Sequence, residues 1–172
     1  NGNIQWQKAY GNDGAYEVEI QSTVAGSDGA YLLIGRESAD MGAFVAMNGW
    51  VAKVDADGNP VWQRRLQNQG QTLLISGVQA SDSAYVVVGV DHTQGLMVTL
   101  DATTGLPLSG KLYPSLFSIT SVIRSPDDSG LVVLGNSSSG AWLAKLDSAG
   151  EIVWQKTYAR IAAGVGGRSV LA

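Results

Sequence analysis

Few residues in this chain have the type and spacing to do chemistry. Its one histidine, His92, stands in Val90-Asp91-His92-Thr93. A Ser–His–Asp triad would have to use it as the base, but no Gly-x-Ser-x-Gly elbow accompanies it, and Gly135-Asn-Ser-Ser-Ser-Gly140 reads as a loop. His92 is therefore expected to be an exposed loop residue. Asp55-Ala-Asp57-Gly-Asn59 puts three side-chain oxygens at alternate positions, as calcium loops do. Its Gly58 comes too early for an EF-hand, and the sister segments at 101 and 147 carry one acid each, so it reads as a β-turn. Glu17 and Glu19 lie two apart, share one face of a strand and do not oppose each other across a cleft. Gly164-Val-Gly166-Gly167 has no helix after it to make a phosphate cradle. With no cysteine, thiolate metal sites, disulfides and a cysteine nucleophile are all excluded. No catalytic residue, no metal site and no cofactor is expected, and the chain is read as not an enzyme.

Composition narrows the partners. Charged residues make up 15% of the 172, the net charge is −4 and the pI is about 4.8. Phosphate neutralisation needs clustered Lys and Arg, and the only adjacent pair is Arg64-Arg65, so no nucleic-acid partner is expected. Apolar runs such as Tyr85–Val88 have strand length, not membrane-helix length, so no membrane insertion is expected. Low charge together with abundant Gly, Ser, Asn, Gln and Thr leans toward an extracellular or cell-surface β protein.

The elements that hold these residues repeat. Tyr31-Leu-Leu-Ile-Gly35, Trp50-Val-Ala-Lys-Val-Asp55 and Gly58-Asn-Pro-Val-Trp62 recur as Leu131-Val-Val-Leu-Gly135, Trp142-Leu-Ala-Lys-Leu-Asp147 and Gly150-Glu-Ile-Val-Trp154. A middle copy runs through Tyr85–Gly89, Leu96–Asp101 and Gly105–Ser109. The aspartates at 55, 101 and 147 set a period of about 46 residues. Each copy reads as four short strands rich in β-branched and aliphatic residues, joined by turns that open on Asp and close on Gly. In the third copy the strands fall near 118–124, 130–135, 141–147 and 152–158. No window keeps a helical period, so almost no helix is expected.

Four-stranded units of this length in series predict an all-β fold, a β-propeller segment of three four-stranded blades with one extra strand at each end. The expected boundaries are 1–10 for the last strand of a preceding blade, 15–66, 71–113 and 117–158 for the blades, and 163–172 for the first strand of a following blade. A β-trefoil, also built from three four-strand repeats, is the competing fold. The lone terminal strands favour the propeller. Trp6, Trp62 and Trp154 recur at one repeat position and Trp50 and Trp142 at another, which predicts packing between blades. The middle copy has Ser109 and Leu96 at those positions, and its blade is expected to pack less tightly.

The pattern Asp-Gly-Tyr, aliphatic run, Gly, then Trp-x-Ala-Lys-x-Asp-x-x-Gly and Trp-Gln-Lys-x-Tyr resembles the secreted propeller repeats of bacteria and archaea, often tandem in large surface proteins. The resemblance covers nearly the whole chain and implies an extracellular or cell-surface place, often without an assigned activity.

One irregularity points to a contact face. Between Gly35 and Trp50 lie 14 residues, against six between Gly135 and Trp142. Insertions in repeats map to loops on one face, often the binding face. The expected ligand or partner face holds Arg36, Glu37, Asp40, Met41, Phe44, Asn68, Asp91, His92 and Asn136. A lengthened hairpin covering its own blade is the equal alternative for this insertion. Three functions follow: a structural or protein-interaction module, a carbohydrate-binding propeller, or a non-catalytic part of a larger extracellular enzyme. The expected partners are other protein chains, met through exposed edge strands or the 36–48 insertion, with a glycan as the second candidate. Three blades do not close a ring, so the chain reads either as a segment of a longer protein or as a unit assembling with other chains into a ring or filament.

Overall fold

A computed structural model describes residues 2–11, 16–40, 45–67, 71–127 and 130–159. Twelve strands follow one another: β1 (Tyr16–Ala25), β2 (Tyr31–Asp40), β3 (Val45–Val54), β4 (Pro60–Leu66), β5 (Thr72–Ser81), β6 (Ala84–Asp91), β7 (Gln94–Asp101), β8 (Pro107–Tyr113), β9 (Leu116–Arg124), β10 (Leu131–Ser137), β11 (Gly140–Leu146) and β12 (Ile152–Ala159). They make three four-stranded antiparallel sheets, β1–β4, β5–β8 and β9–β12, each meandering in chain order. No helix occurs among the described residues. These sheets are blades packed face against face, which is the propeller arrangement and excludes the trefoil.

The second strands explain the stacking. Ala84–Asp91 is an almost unbroken apolar run because both of its faces are covered. Tyr85 and Val87 point into the core shared with the first blade, with Leu32, Ile34, Val51, Trp62, Leu74 and Val98. Val86 and Val88 point the other way, into the core shared with the third blade, with Met97, Tyr113, Ile119, Val133, Trp142 and Leu146. Successive side chains on a strand face opposite sides, so one run fills two interfaces. The first blade's far face gathers Leu33, Trp50, Ala52 and Val54, and Tyr10 packs on it.

Over the described residues the long connection in the first blade is a lengthened hairpin. The β2–β3 ladder continues in register from Arg36↔Gly49 to Asp40↔Val45, and β1 follows β2 out to Tyr16↔Ala39. The extra residues lengthen the hairpin because β1 is long enough to pair with them. Residues 2–11 belong to no ladder with the described strands. They still lie against the first blade's outer turn. The expected strand at 163–172 and the Gly164–Gly167 segment lie outside the described residues.

Candidate interaction site

The expected face comes together only in part. His92 N–H donates to Gln71 O at 2.8 Å, which brings the β6–β7 turn beside the connection between blades. His92 takes a positive φ of 54° in that tight turn, a conformation in which histidine is over-represented among non-glycine residues. Its Nδ1 lies 3.5 Å from Asp91 Oδ1. Asp91 itself is buried and accepts from Thr72 Oγ1 at 3.0 Å. Glu37 is only 1% exposed, and both its oxygens take Arg65, Nε and Nη2 each at 2.7 Å. These two carboxylates are ties between strands and do not stand out on a surface, which corrects their expected place. Arg36 is half-buried and forked onto Glu19, with its Nε at 2.8 Å. Asn136 lies inside β10, not in a loop, and its Nδ2 donates to Ser118 Oγ at 3.2 Å. Met41, Phe44 and Asn68 lie outside the described residues, and of Asp40 only the backbone is described.

The Asp–Gly turns bind their own backbone. Asp55 Oδ1 accepts Asp57 N–H at 2.9 Å and Asn59 N–H at 2.7 Å, while Oδ2 accepts Asn59 Nδ2 at 2.9 Å. The Asn59 side chain, then its backbone N–H, holds the Asp55 carboxyl below the usual carboxylate range. Asp101 and Asp147 repeat this cap on Thr104 and Glu151. A carboxylate so engaged closes a turn; it is the β-turn that the spacing predicted.

A second constellation was only half visible in the sequence. The fourth strands of the first two blades send side chains two residues apart onto the Asp–Gly turn of the next blade. Trp62 Nε1 donates to Ala102 O at 3.3 Å and Arg64 Nη2 to Thr104 O at 2.5 Å, while Leu66 packs beside them. Lys111 Nζ and Tyr113 Oη donate to Gly150 O at 3.0 and 2.8 Å. Ser109 cannot fill the tryptophan's place, and Met97 does: a Cβ on Gly150 would meet Met97 Cε at 2.4 Å. Residues 2–11 do the same to the first blade. Trp6 Nε1 donates to Ala56 O at 3.0 Å, Lys8 Nζ to Asn59 Oδ1 at 2.6 Å, and Tyr10 Oη to Gly58 O at 3.0 Å. The turn glycine is required twice over. Gly105 has φ +70°, and a Cβ there would lie 2.5 Å from Trp62 Cε3.

The fourth such trio is Trp154, Lys156 and Tyr158 on β12, and nothing among the described residues receives it. Trp154 is 40% exposed and Tyr158 52%, whereas Trp62 is 7% exposed. The expectation that every recurring tryptophan is buried between blades thus holds for Trp62 and Trp142; Trp50 is buried on the first blade's far face, and Trp6 and Trp154 are each 40% exposed. The trio shares its face with Lys145, Leu143, Val132 and Leu134 by register. The matching residues of the first blade, Lys53, Val51, Leu32 and Ile34, are buried under the second. The signal in the sequence was the i, i+2, i+4 spacing of Trp, Lys or Arg, and Tyr, recurring in step with the turn glycine.

A groove of about 270 Å³ lies between the first and second blades, lined by Arg65, Leu66, Leu96, Pro107 and Ser109 among others.

No protein-family model matches the chain, and no curated protein matches it in sequence. Solved structures do match. The β-propeller domain of the Trilobed protease from Pyrococcus furiosus, described as having an open velcro topology, superposes with a TM-score of 0.55 at 12% identity, over 88% of this chain and 46% of that one. The Dos1 propeller superposes with a TM-score of 0.54 at 16% identity, over 82% of this chain and 37% of that one. The chain thus spans less than half the length of each propeller chain it matches. At this identity the likeness shows the fold: a β-propeller segment of repeated four-stranded blades.

Proposed function

We propose that the chain is a non-catalytic β-propeller module, secreted or displayed at a cell surface, that serves a structural and protein-binding role. One observation carries this reading: the outer face of the third blade is built like an inter-blade interface and nothing among the described residues covers it, with Trp154 40% and Tyr158 52% exposed. Exposed aromatic and aliphatic groups gathered on one sheet are what a protein-binding surface offers. The low charge and the resemblance to secreted bacterial and archaeal repeats support the location. A second reading, a non-catalytic part of a larger extracellular enzyme, is favoured by the protease to which one matching propeller belongs.

The test is to insert a further copy of residues 71–116 after Ala159, so that the third blade's face meets a blade of the chain's own kind. The module reading expects a higher unfolding temperature and loss of binding of a hydrophobic dye that the unmodified chain binds at Trp154 and Tyr158. Unchanged melting with undiminished dye binding refutes it.

A further inference from the structure

We infer that the groove between the first two blades is a peptide-binding site, which takes an aromatic side chain of indole size from an extended segment of a partner protein pairing along the outer edge of β8. This gives the protein-binding role proposed above a second surface and a class of partner, and it rests on that role.

The two interfaces between blades follow one plan and are filled differently. Gly89↔Leu96 in the second blade corresponds to Gly135↔Trp142 in the third, and Val98↔Gly110 corresponds to Ala144↔Gln155. On the blades that face them, Gly49↔Leu66 corresponds to Gly95↔Tyr113. Between the second and third blades these places are full. The Trp142 and Tyr113 ring centroids lie 6.3 Å apart with their planes tilted by 51°, and the indole N–H donates to Gln155 Oε1 at 2.8 Å. Between the first and second blades the same three places hold Leu96, Leu66 and Gly110, and all three line the groove of about 270 Å³. Two rings and an amide are thus replaced by two leucines and a hydrogen atom. A Cβ at Gly110 would meet nothing within 4 Å. The groove continues an existing interface, since Leu66, Leu96 and Val98 in its walls belong to the core that the first two blades share. An aromatic group is what this scaffold packs at that place when the chain supplies its own.

β8 can present such a group. It is the last strand of its sheet, and none of the described strands pairs with its outer side. The backbone groups along that side are a template for one more strand. The sister copies place polar side chains along this edge. Asn59 and Glu151 close their turns where the middle copy has Leu106, and Arg65 and Thr157 stand where it has Leu112. Leu106 is 54% exposed and Leu112 38%, and Leu108 between them is 60% exposed. The charge on β8 is drawn off the edge: Lys111 reaches the third blade, onto Gly150 O and Glu151. Pro107 stands at the strand's first position, where a missing N–H disturbs a ladder least.

Alternation puts Leu108, Gly110 and Leu112 on one face, and Gly110 opens that face into the groove. A strand laid along β8 would set one side chain beside Gly110, and an aromatic group covering an edge glycine is a stabilising cross-strand arrangement. Its neighbours two residues away on either side would lie over Leu108 and Leu112. Backbone pairing then supplies affinity, and the groove selects a segment with an aromatic residue flanked at alternate positions by apolar ones.

The probe is a capped peptide, Thr-Val-Thr-Trp-Thr-Val-Thr, compared with its counterpart carrying alanine in place of tryptophan. Each is titrated into the isotope-labelled full chain and followed by NMR. The tryptophan peptide should shift the amide signals of residues 107–113 and of Leu96, and slow solvent exchange of the outer β8 amides. The alanine peptide should bind about tenfold more weakly or worse, the scale of a lost aromatic anchor. Leu96→Trp with Gly110→Gln fills the groove from within and should weaken the tryptophan peptide by a similar factor. Gly110→Gln alone carries the same test should the double variant not fold, because its new side chain starts in open space. No response at residues 107–113 up to millimolar peptide overturns the inference. So does equal affinity for the two peptides, or undiminished binding to the filled groove. If the inserted blade raises stability and removes the dye while this peptide fails to bind, only this inference falls and the module reading stands.

Discussion

Trp62 and Trp154 occupy the same place in two copies of one repeat, yet truncating them should have very different costs. Trp62 is 7% exposed, in the core shared by the first two blades, and its indole N–H is bonded to Ala102 O. Trp62→Ala removes a buried aromatic group from between two sheets and leaves a cavity, a loss of about 3–5 kcal/mol. It also leaves Ala102 O with Lys53 Nζ as its remaining side-chain donor. Trp154 has two-fifths of its surface in water and no facing sheet among the described residues. Trp154→Ala opens no cavity, because solvent fills the space, and it forfeits only the contact with its own blade, about 1–2 kcal/mol. The gap between the variants should be about 2–3 kcal/mol. Urea denaturation followed by far-UV circular dichroism measures it without relying on tryptophan fluorescence. Equal costs, or a larger cost at Trp154, would refute the claim that the neighbouring blade and not the repeat sequence sets the energy of this position.

Three further outcomes follow. Arg65→Ala should destabilise by about 2–4 kcal/mol in denaturant titration, because it strips the bidentate partner from the buried Glu37 carboxylate; Arg65→Ala with Glu37→Gln should recover part of the loss. Tyr113 is buried, and that burial, with Glu151 and Asp147 nearby, pushes its phenol up to about 12. A raised acid favours the protonated folded state, so its contribution of about 2 kcal/mol is full below pH 10 and is lost as the pH rises from about 10 to 12. Unfolding measured over that window should show Tyr113→Phe losing less stability with pH than the unmodified chain. Leu96→Trp with Gly110→Gln should raise stability by about 1–2 kcal/mol in thermal or denaturant unfolding, by filling the groove between the first two blades. The pair would restore the arrangement at Trp142, whose Nε1 donates to Gln155 Oε1 at 2.8 Å.

The repeat made the fold legible. Strands expected near 118–124, 130–135, 141–147 and 152–158 appear at Leu116–Arg124, Leu131–Ser137, Gly140–Leu146 and Ile152–Ala159, because the Asp–Gly turns fix where each one starts and stops. The contact face was not. Glu37 reads as a loop acid until Arg65 is seen across the sheet, 28 positions along the chain. Arg36–Asp40 reads as an insertion because a single copy cannot reveal that β1 is long enough to extend the ladder. The exposure of Trp154 cannot be read from its neighbours in sequence, since it depends on what lies alongside the blade.

The joints between the petals are built from unlike parts. One closes with Trp62, Arg64 and Leu66 on a five-residue bend; the next with Met97, Lys111 and Tyr113 on a tighter one. Units of near-identical outline are prone to pair with the wrong neighbour while they fold. Giving each seam its own lock supplies an order of assembly, so that a petal slipped by one place meets a mismatched edge. The departures in the middle copy, which look like decay of a motif, are what would tell the chain which petal comes second.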